Sequence, residues 1–354
     1  MRAPAARRAS SEDRKGASDG SERIGCVARR AALSVWAFVF CALVAGCGSR
    51  QSTLSPESRA SREIATLWWV MLVGSVVVFG VVLLLIVIAV LRRRAESAGD
   101  DRRAEGLVLA GGIVAPIVVL SLLFVLILRA LPATSAPKRG HTRLTVEVVG
   151  KQWFWEVRYP GTPAVTANEI HIPARTPVLL RVQSADVIHS FWVPRLNRKI
   201  DVIPGKVNQI ELRADAPGIY RGQCAEFCGL QHANMAFLVY ADRPDAFRRW
   251  LARQAKPRIA PTGAAAQRGE QVFLSTCAGC HTIRGTAADG TLGPDLTHLA
   301  SRSTLAAVTI PNSTGRLAEW VFDPQHVKPG NKMPALRLSG PDFQALLAYL
   351  GGLK

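Results

Sequence analysis

Methionine is scarce in this 354-residue chain. Of four, Met1 is the initiator and Met71 lies in an apolar run, which leaves Met235 and Met333, each near cysteine and histidine. Acidic residues are also in deficit, 26 Asp and Glu against 44 Lys and Arg, for a formal net charge of +18. Such a balance raises nucleic acid as a partner, but the basic residues are dispersed, with no reading helix or aromatic base platform among them, which argues against one. Spare cysteine is absent too. Of the seven, Cys224 with Cys228 and Cys277 with Cys280 fall in two compact motifs, and Cys26, Cys41 and Cys47 belong to the N-terminal region, so no pair is left for a structural disulfide elsewhere. Nor does the chain contain a many-helix, multi-histidine bundle.

The most informative stretch is Cys224-Ala-Glu-Phe-Cys228-Gly-Leu-Gln-His232-Ala-Asn-Met235. Thiolate, imidazole and thioether are soft ligands and together suit copper. A second imidazole, His189, follows an apolar alternating run that reads as a strand able to return it to the same end of a β-sandwich. A mononuclear blue-copper site uses one Cys, two His and a weak Met, so the second thiolate is one ligand too many for a single ion. Two thiolates bridging two coppers fit better. The competing reading is a Cys224–Cys228 disulfide in an exported domain.

The second motif, Cys277-Ala-Gly-Cys280-His281, has the C-x-x-C-H spacing of covalent haem attachment, in which two thiols add to the haem vinyls and the adjacent His ligates iron. Gly293-Pro-Asp-Leu296 follows, and Lys328-Pro-Gly-Asn-Lys-Met-Pro334 later presents a methionine.

These phrases carry two resemblances. With Gln152-Trp-Phe-Trp155, Asp186-Val-Ile-His-Ser-Phe191 and Asp201-Val-Ile-Pro-Gly205, residues from about Ser61 to Ala246 resemble subunit II of cytochrome c oxidase, with its dinuclear CuA centre. The resemblance implies copper ligation by His189, Cys224, Cys228, His232, Met235 and the backbone carbonyl of Glu226. It also implies a Glu226 carboxylate reaching magnesium at the border with subunit I, and Trp153 as the electron-transfer residue over the copper; an ordinary cross-strand aromatic is the alternative for Trp153. Residues 266 to 354 resemble a class I cytochrome c. That likeness implies His281 and Met333 as the axial pair of haem c, Pro294 orienting His281, and electron transfer as the role of a Met/His-ligated haem. His141, His171, His298 and His326 read as surface or hydrogen-bonding residues, with iron ligation in competition with Met333 the lesser alternative for His326.

At the N-terminus, residues 1 to 30 read as disordered, and Ala31 to Gly46 with Leu43-Val-Ala-Gly-Cys47 looks like a bacterial lipoprotein signal, lipidated at Cys47. An uncleaved first helix is the alternative, though the run is short of the ~20 apolar residues needed to span hydrocarbon. Ala65 to Leu91 and Gly106 to Leu128 are long enough, with Pro116 a local bend. Arg92-Arg-Arg94 and Arg102-Arg103 between them place the connection in the cytoplasm and both mature ends in the periplasm. Trp68 and Trp69 mark the outer end of the first span or pack on a partner helix. The family commonly carries a glutamate near the inner end of the second span, at a proton-entry mouth; here Glu105 lies just outside the run and the aligned position is apolar.

Alternating apolar and polar residues over Thr142 to Val149, Val178 to Val182 and Val207 to Leu212, divided by Pro and Gly turns, predict strands of a Greek-key sandwich. Segments around Gln267 to Ser275, Ser303 to Thr309, Gly315 to Phe322 and Asp342 to Tyr349 predict short helices. The chain is thus expected to be a multi-domain membrane protein: signal (1–46), periplasmic segment (47–64), two-helix transmembrane hairpin (65–131), cupredoxin-like CuA β-sandwich (132–254), Pro/Ala-rich linker (255–265) and all-α class I cytochrome c domain (266–354). By resemblance it is the electron-entry subunit of a haem–copper terminal oxidase. It would take electrons from cytochrome c or another periplasmic donor, and would partner subunit I and subunit III, with oxygen reduced to water and protons pumped. A tethered haem removes the need for diffusive docking of an acidic copper domain with a basic cytochrome. The alternatives are a CuA/haem c subunit of a nitric-oxide reductase and a membrane-anchored copper-binding or delivery protein, for which covalent haem has little use.

Overall fold

In a computed structural model, residues 51–92, 101–135, 142 and 144–354 are described. The lipoprotein-type signal with Cys47, and Arg93 and Arg94 of the connecting segment, lie outside them. Helix α1 (Arg59–Arg92) is apolar all round. After it come α2 (Asp101–Leu109), a π-helical turn (Ala110–Val114) and α3 (Ala115–Thr134). Two stretches, Arg59–Leu91 and Ala104–Thr134, are long and apolar enough to cross a membrane, and protein buries none of the most apolar window of either. A helix apolar on every face needs an apolar surround. The expected bend at Pro116 takes the form of the π turn just before it, with Ala115 N–H reaching Ala110 O. Proline offers no N–H to the carbonyl one turn back and crowds it, and widening the turn relieves both.

Ten strands form the sandwich: β1 (Leu144–Lys151), β2 (Phe154–Arg158), β3 (Val165–Ala167), β4 (Glu169–Pro173), β5 (Val178–Ser184), β6 (His189–Trp192), β7 (Ile200–Val202), β8 (Asn208–Leu212), β9 (Gly218–Cys224) and β10 (Ala236–Asp242). They make two five-stranded sheets, ordered β3-β2-β1-β5-β8 and β4-β10-β9-β6-β7. β1 with β5 and β4 with β10 run parallel, and the remaining pairs antiparallel. The period-2 alternation turns Val146, Val148, Leu180 and Val182 inward, fully buried. Trp155 fills the centre, edge-on to Phe191 and Phe237 at 5.8 and 5.4 Å between ring centroids. Helix α4 (Pro244–Gln254) closes one end through Phe247.

The C-terminal part has its own apolar core. Helices α5 (Ala264–Thr276) and α8 (Gly340–Gly351) cross closely at Gly269, where a Cβ would lie 2.0 Å from Ala345 O. Only glycine permits that approach. Between them lie β11 (Thr304–Leu305), β12 (Ile310–Pro311), α6 (Thr314–Phe322) and α7 (Pro324–Val327). The expected helix over Ser303 to Thr309 is not formed. Instead Ala306, Ala307 and Val308 take φ of 51°, 58° and 67°, a left-handed turn joining β11 to β12. Left-handed backbone disfavours side chains with a Cβ, so tertiary contacts hold it: Thr309 Oγ1 and Lys328 Nζ both donate to Ala306 O. The fold is therefore multi-domain: two apolar helices, a β-sandwich and a largely helical C-terminal domain.

Candidate metal centres

Sheet register gathers the sulfur and imidazole ligands at one end of the sandwich. His189 opens β6 and Cys224 ends β9, where Cys224 pairs with Phe191, two residues beyond His189. Cys224 N–H donates to Met235 O at 2.9 Å, bringing the start of β10 alongside, with His232 on the 3₁₀ turn His232–Asn234. The resulting cluster is buried. Cys224 Sγ lies 3.8 Å from Cys228 Sγ, 3.9 Å from His189 Nδ1 and 3.2 Å from Glu226 O. Cys228 Sγ lies 3.7 Å from both His232 Nδ1 and Met235 Sδ. A disulfide would hold the sulfurs at about 2.05 Å, so the described cysteines are free thiols. Two sulfurs, two imidazole nitrogens, a thioether and a carbonyl, all converging with space between them, fit a soft-metal site and leave the disulfide reading without support.

The protein also fixes the ligands' protonation. Asp186 Oδ1 accepts from His189 Nε2 at 2.8 Å, so the proton sits on Nε2 and Nδ1 faces the sulfurs. Burial opposes ionisation of Asp186, but hydrogen bonds from His189 and from the Gln152 and Val187 N–H groups outweigh it and hold the carboxyl below its usual range. His189 is instead raised although burial works against it, because Cys224 and Asp186 favour its charged form. The two sulfurs act on each other: their contact pulls Cys224 down against burial, and the same contact, with burial, pushes Cys228 up. At Gly150, a Cβ would come within 2.9 Å of the His189 ring.

Trp153 lies against this cluster, its indole N–H donating to Cys228 O at 2.9 Å beside a second bond from Gln152 Nε2 at 2.8 Å. Glu226 turns its carboxylate outward, 3.6 Å from Lys199 Nζ.

The haem-type motif opens onto a cavity of about 570 Å³ lined by Cys277, Cys280, His281 and Met333 together with apolar side chains such as Leu299 and Leu346. His281 Nδ1 is 2.9 Å from Pro294 O. A carbonyl only accepts, so Nδ1 carries the proton and Nε2 keeps a lone pair for a metal. Burial, with the nearby Arg302 charge, lowers His281 against the Pro294 hydrogen bond, keeping it neutral. Burial and then Cys280 push the Cys277 thiol up to about 11. Arg302 Nε and Thr304 Oγ1 also line the cavity, buried and without partners, which suits a ligand that is apolar over most of its area and carries carboxylates at one edge. The donor set therefore fits haem. His326 does not line the cavity. His171 is stacked between Tyr240 and Trp250 and bonds Asp242, while His298 bonds Lys256 O; both are structural, and His141 lies outside the described residues.

Sequence reasoning passed over Asp186 as an orienting group, Arg302, and Lys328. Asp186 is signalled only by standing three residues before His189. The other two read as ordinary surface cations, yet Lys328 is only 2% exposed and burial pushes its ammonium down to about 7, with Cys228 opposing.

Comparison with known proteins gives concordant results. The family model described as the periplasmic domain of cytochrome c oxidase subunit II matches residues 164–241, and that of cytochrome c matches residues 266–354. Cytochrome c oxidase subunit 2 of Alkalihalophilus pseudofirmus is 37% identical over 220 residues, 62% of this chain and 64% of that protein. The Bacillus subtilis protein of the same name is 30% identical over 235 residues, 63% and 66%. The matches thus span just under two thirds of these relatives. The solved periplasmic domain of cytochrome oxidase subunit II from Bradyrhizobium japonicum is 31% identical and covers 34% of this chain and 96% of its own, with a TM-score of 0.32. The chain joins a periplasmic domain of the cytochrome c oxidase subunit II family to a C-terminal cytochrome c domain.

Proposed function

We propose that this chain is the electron-entry subunit of a haem–copper terminal oxidase, accepting electrons from cytochrome c or another periplasmic donor and delivering them to subunit I, with subunit III completing the complex. When bound, haem c and a dinuclear copper centre supply one-electron redox chemistry at two sites in series, ahead of the oxygen reduction and proton pumping of the partner subunit. Cys277 and Cys280 would hold the haem, with His281 Nε2 and Met333 Sδ as iron donors and Arg302 and Thr304 as polar partners for its carboxylates. His189, Cys224, Cys228, His232, Met235 and Glu226 O would hold the copper pair. The Glu226 carboxylate would serve magnesium at the subunit I border, displacing Lys199.

The observation that carries the relay is the position of Trp153. It lines the haem cavity, and its indole N–H donates to Cys228 O at 2.9 Å. One side chain thus touches both sites, which the cross-strand role does not explain. Met333 opens on the same cavity. Asp186 and Pro294, by bonding the far nitrogens of His189 and His281, keep the ligating nitrogens aimed.

The domain limits at 132–254, 255–265 and 266–354, the cytoplasmic connection and the lipid on Cys47 belong to the same reading. Both metal domains then stand in the periplasm above two membrane spans. The test is metal content and spin state of the purified protein. Two coppers and one haem per chain are expected, with a mixed-valence signal delocalised over both coppers that Cys228→Ser abolishes. A single copper with a localised spin contradicts the dinuclear assignment.

A further inference from the structure

Lys328 is the most unusual charged residue in the C-terminal domain. It sits five residues before Met333, almost wholly buried, and no carboxylate pairs with it among the described residues. Its ammonium donates instead to backbone carbonyls: Trp153 O at 2.9 Å, Asn234 O at 2.8 Å and Ala306 O at 3.3 Å. The first two lie in the sandwich, one on the residue that contacts the copper cluster and the other next to Met235. Burying an ammonium without a counter-charge is costly unless its donors are used, and here all three can be. Neighbouring contacts follow the same seam. Gln231 Nε2 donates to Pro329 O at 2.5 Å, Lys151 Nζ to Thr291 O at 2.9 Å, and Lys332 Nζ stands 3.9 Å from Asp186 Oδ2.

We propose that Lys328 is a positioning residue that pins the Met333 loop to the backbone of Trp153 and Asn234, so that the haem cavity is held against the copper site in the one arrangement that passes electrons. This rests on the relay reading above and names the residue that sets its geometry. Neutral carbonyls as partners also separate this latch from rim ion pairs, because added salt weakens the latter and leaves the former.

The test uses the full chain loaded with haem and copper, comparing Lys328→Met and Lys328→Gln with the exposed-surface control Lys206→Met. The Ser303 amide, which donates to Glu169 Oε1 across the same seam at 2.8 Å, reports seam opening by hydrogen exchange. A hydrogen bond to a charged group is strong enough that removing it should speed Ser303 exchange by about tenfold or more. Haem-to-copper transfer after flash reduction of the haem should slow in the same variants, while the optical spectra of both centres stay unchanged. Lys328→Gln, which keeps a neutral donor, should fall between, and Lys206→Met should match the parent. Unchanged Ser303 exchange in Lys328→Met overturns the positioning role. A parent protein showing no haem-to-copper transfer would instead overturn the relay reading, leaving the exchange result to judge the latch alone.

Discussion

Replacing Gly269 with alanine sets two physical effects against each other. Alanine is the better helix former by about 1 kcal/mol, so propensity alone says the substitution stabilises α5. Its Cβ, however, would stand 2.0 Å from Ala345 O, 2.6 Å from Ala345 C and 2.8 Å from Tyr349 Cβ. Two of these atoms are backbone, and no rotamer change moves them away. The α5–α8 crossing must therefore open by more than an ångström, and overpacking of this severity costs about 3 kcal/mol. The net loss of about 2 kcal/mol lowers the Tm of the haem domain by about 8 to 16 °C at its size. Because α8 also supplies Leu346 and Leu350 to the haem cavity, the melt should be visible in haem absorbance as well as in circular dichroism. Gly315, where an added Cβ meets nothing within 4 Å, is the control, and Gly315→Ala should be neutral or slightly stabilising. A Gly269→Ala protein that melts at or above the parent temperature refutes the reasoning.

Asp186→Asn replaces the charged acceptor behind His189 and should weaken copper affinity about 10- to 100-fold, as loss of an outer partner to a metal ligand does, with haem absorbance unchanged; competition against a copper chelator measures it. Copper uptake should release protons, because the metal-free thiol pair retains one proton on Cys228, whose thiol is pushed up while Cys224 is pushed down. Ligation needs both thiolates, so apparent affinity should fall as pH falls, by about tenfold per unit for each proton displaced. Calorimetry in buffers of different ionisation enthalpy counts those protons, and a pH-independent affinity with no proton release contradicts the coupled pair.

The clustered sulfur and imidazole side chains were legible because their chemistry is rare and their spacing fixed. Cys224, Cys228, His232 and Met235 sit on one strand end and one short loop, and even distant His189 was recoverable from the strand it opens. The alternating strands emerged for the same reason, since each buries one face. What the sequence concealed depends on partners distant along the chain. Lys328 stands between Val327 and Pro329 like any surface lysine, and its burial comes from Trp153 and Asn234, more than 90 positions earlier. The left-handed turn at Ala306 to Val308 contains no glycine or asparagine to announce it, and apolar content alone suggested a helix there. The π turn before Pro116 was half legible: proline gave the place of the irregularity but not its form.

The relay turns most directly on the order in which the two centres fill. Stopped-flow absorbance can follow haem c and copper separately in the intact, metal-loaded protein mixed with reduced donor. Haem c should be reduced first and copper after it, and Trp153→Ala should leave the first phase unchanged while slowing haem reoxidation. Copper reduced ahead of haem c, or a Trp153→Ala protein whose haem reoxidation matches the parent, would contradict the relay.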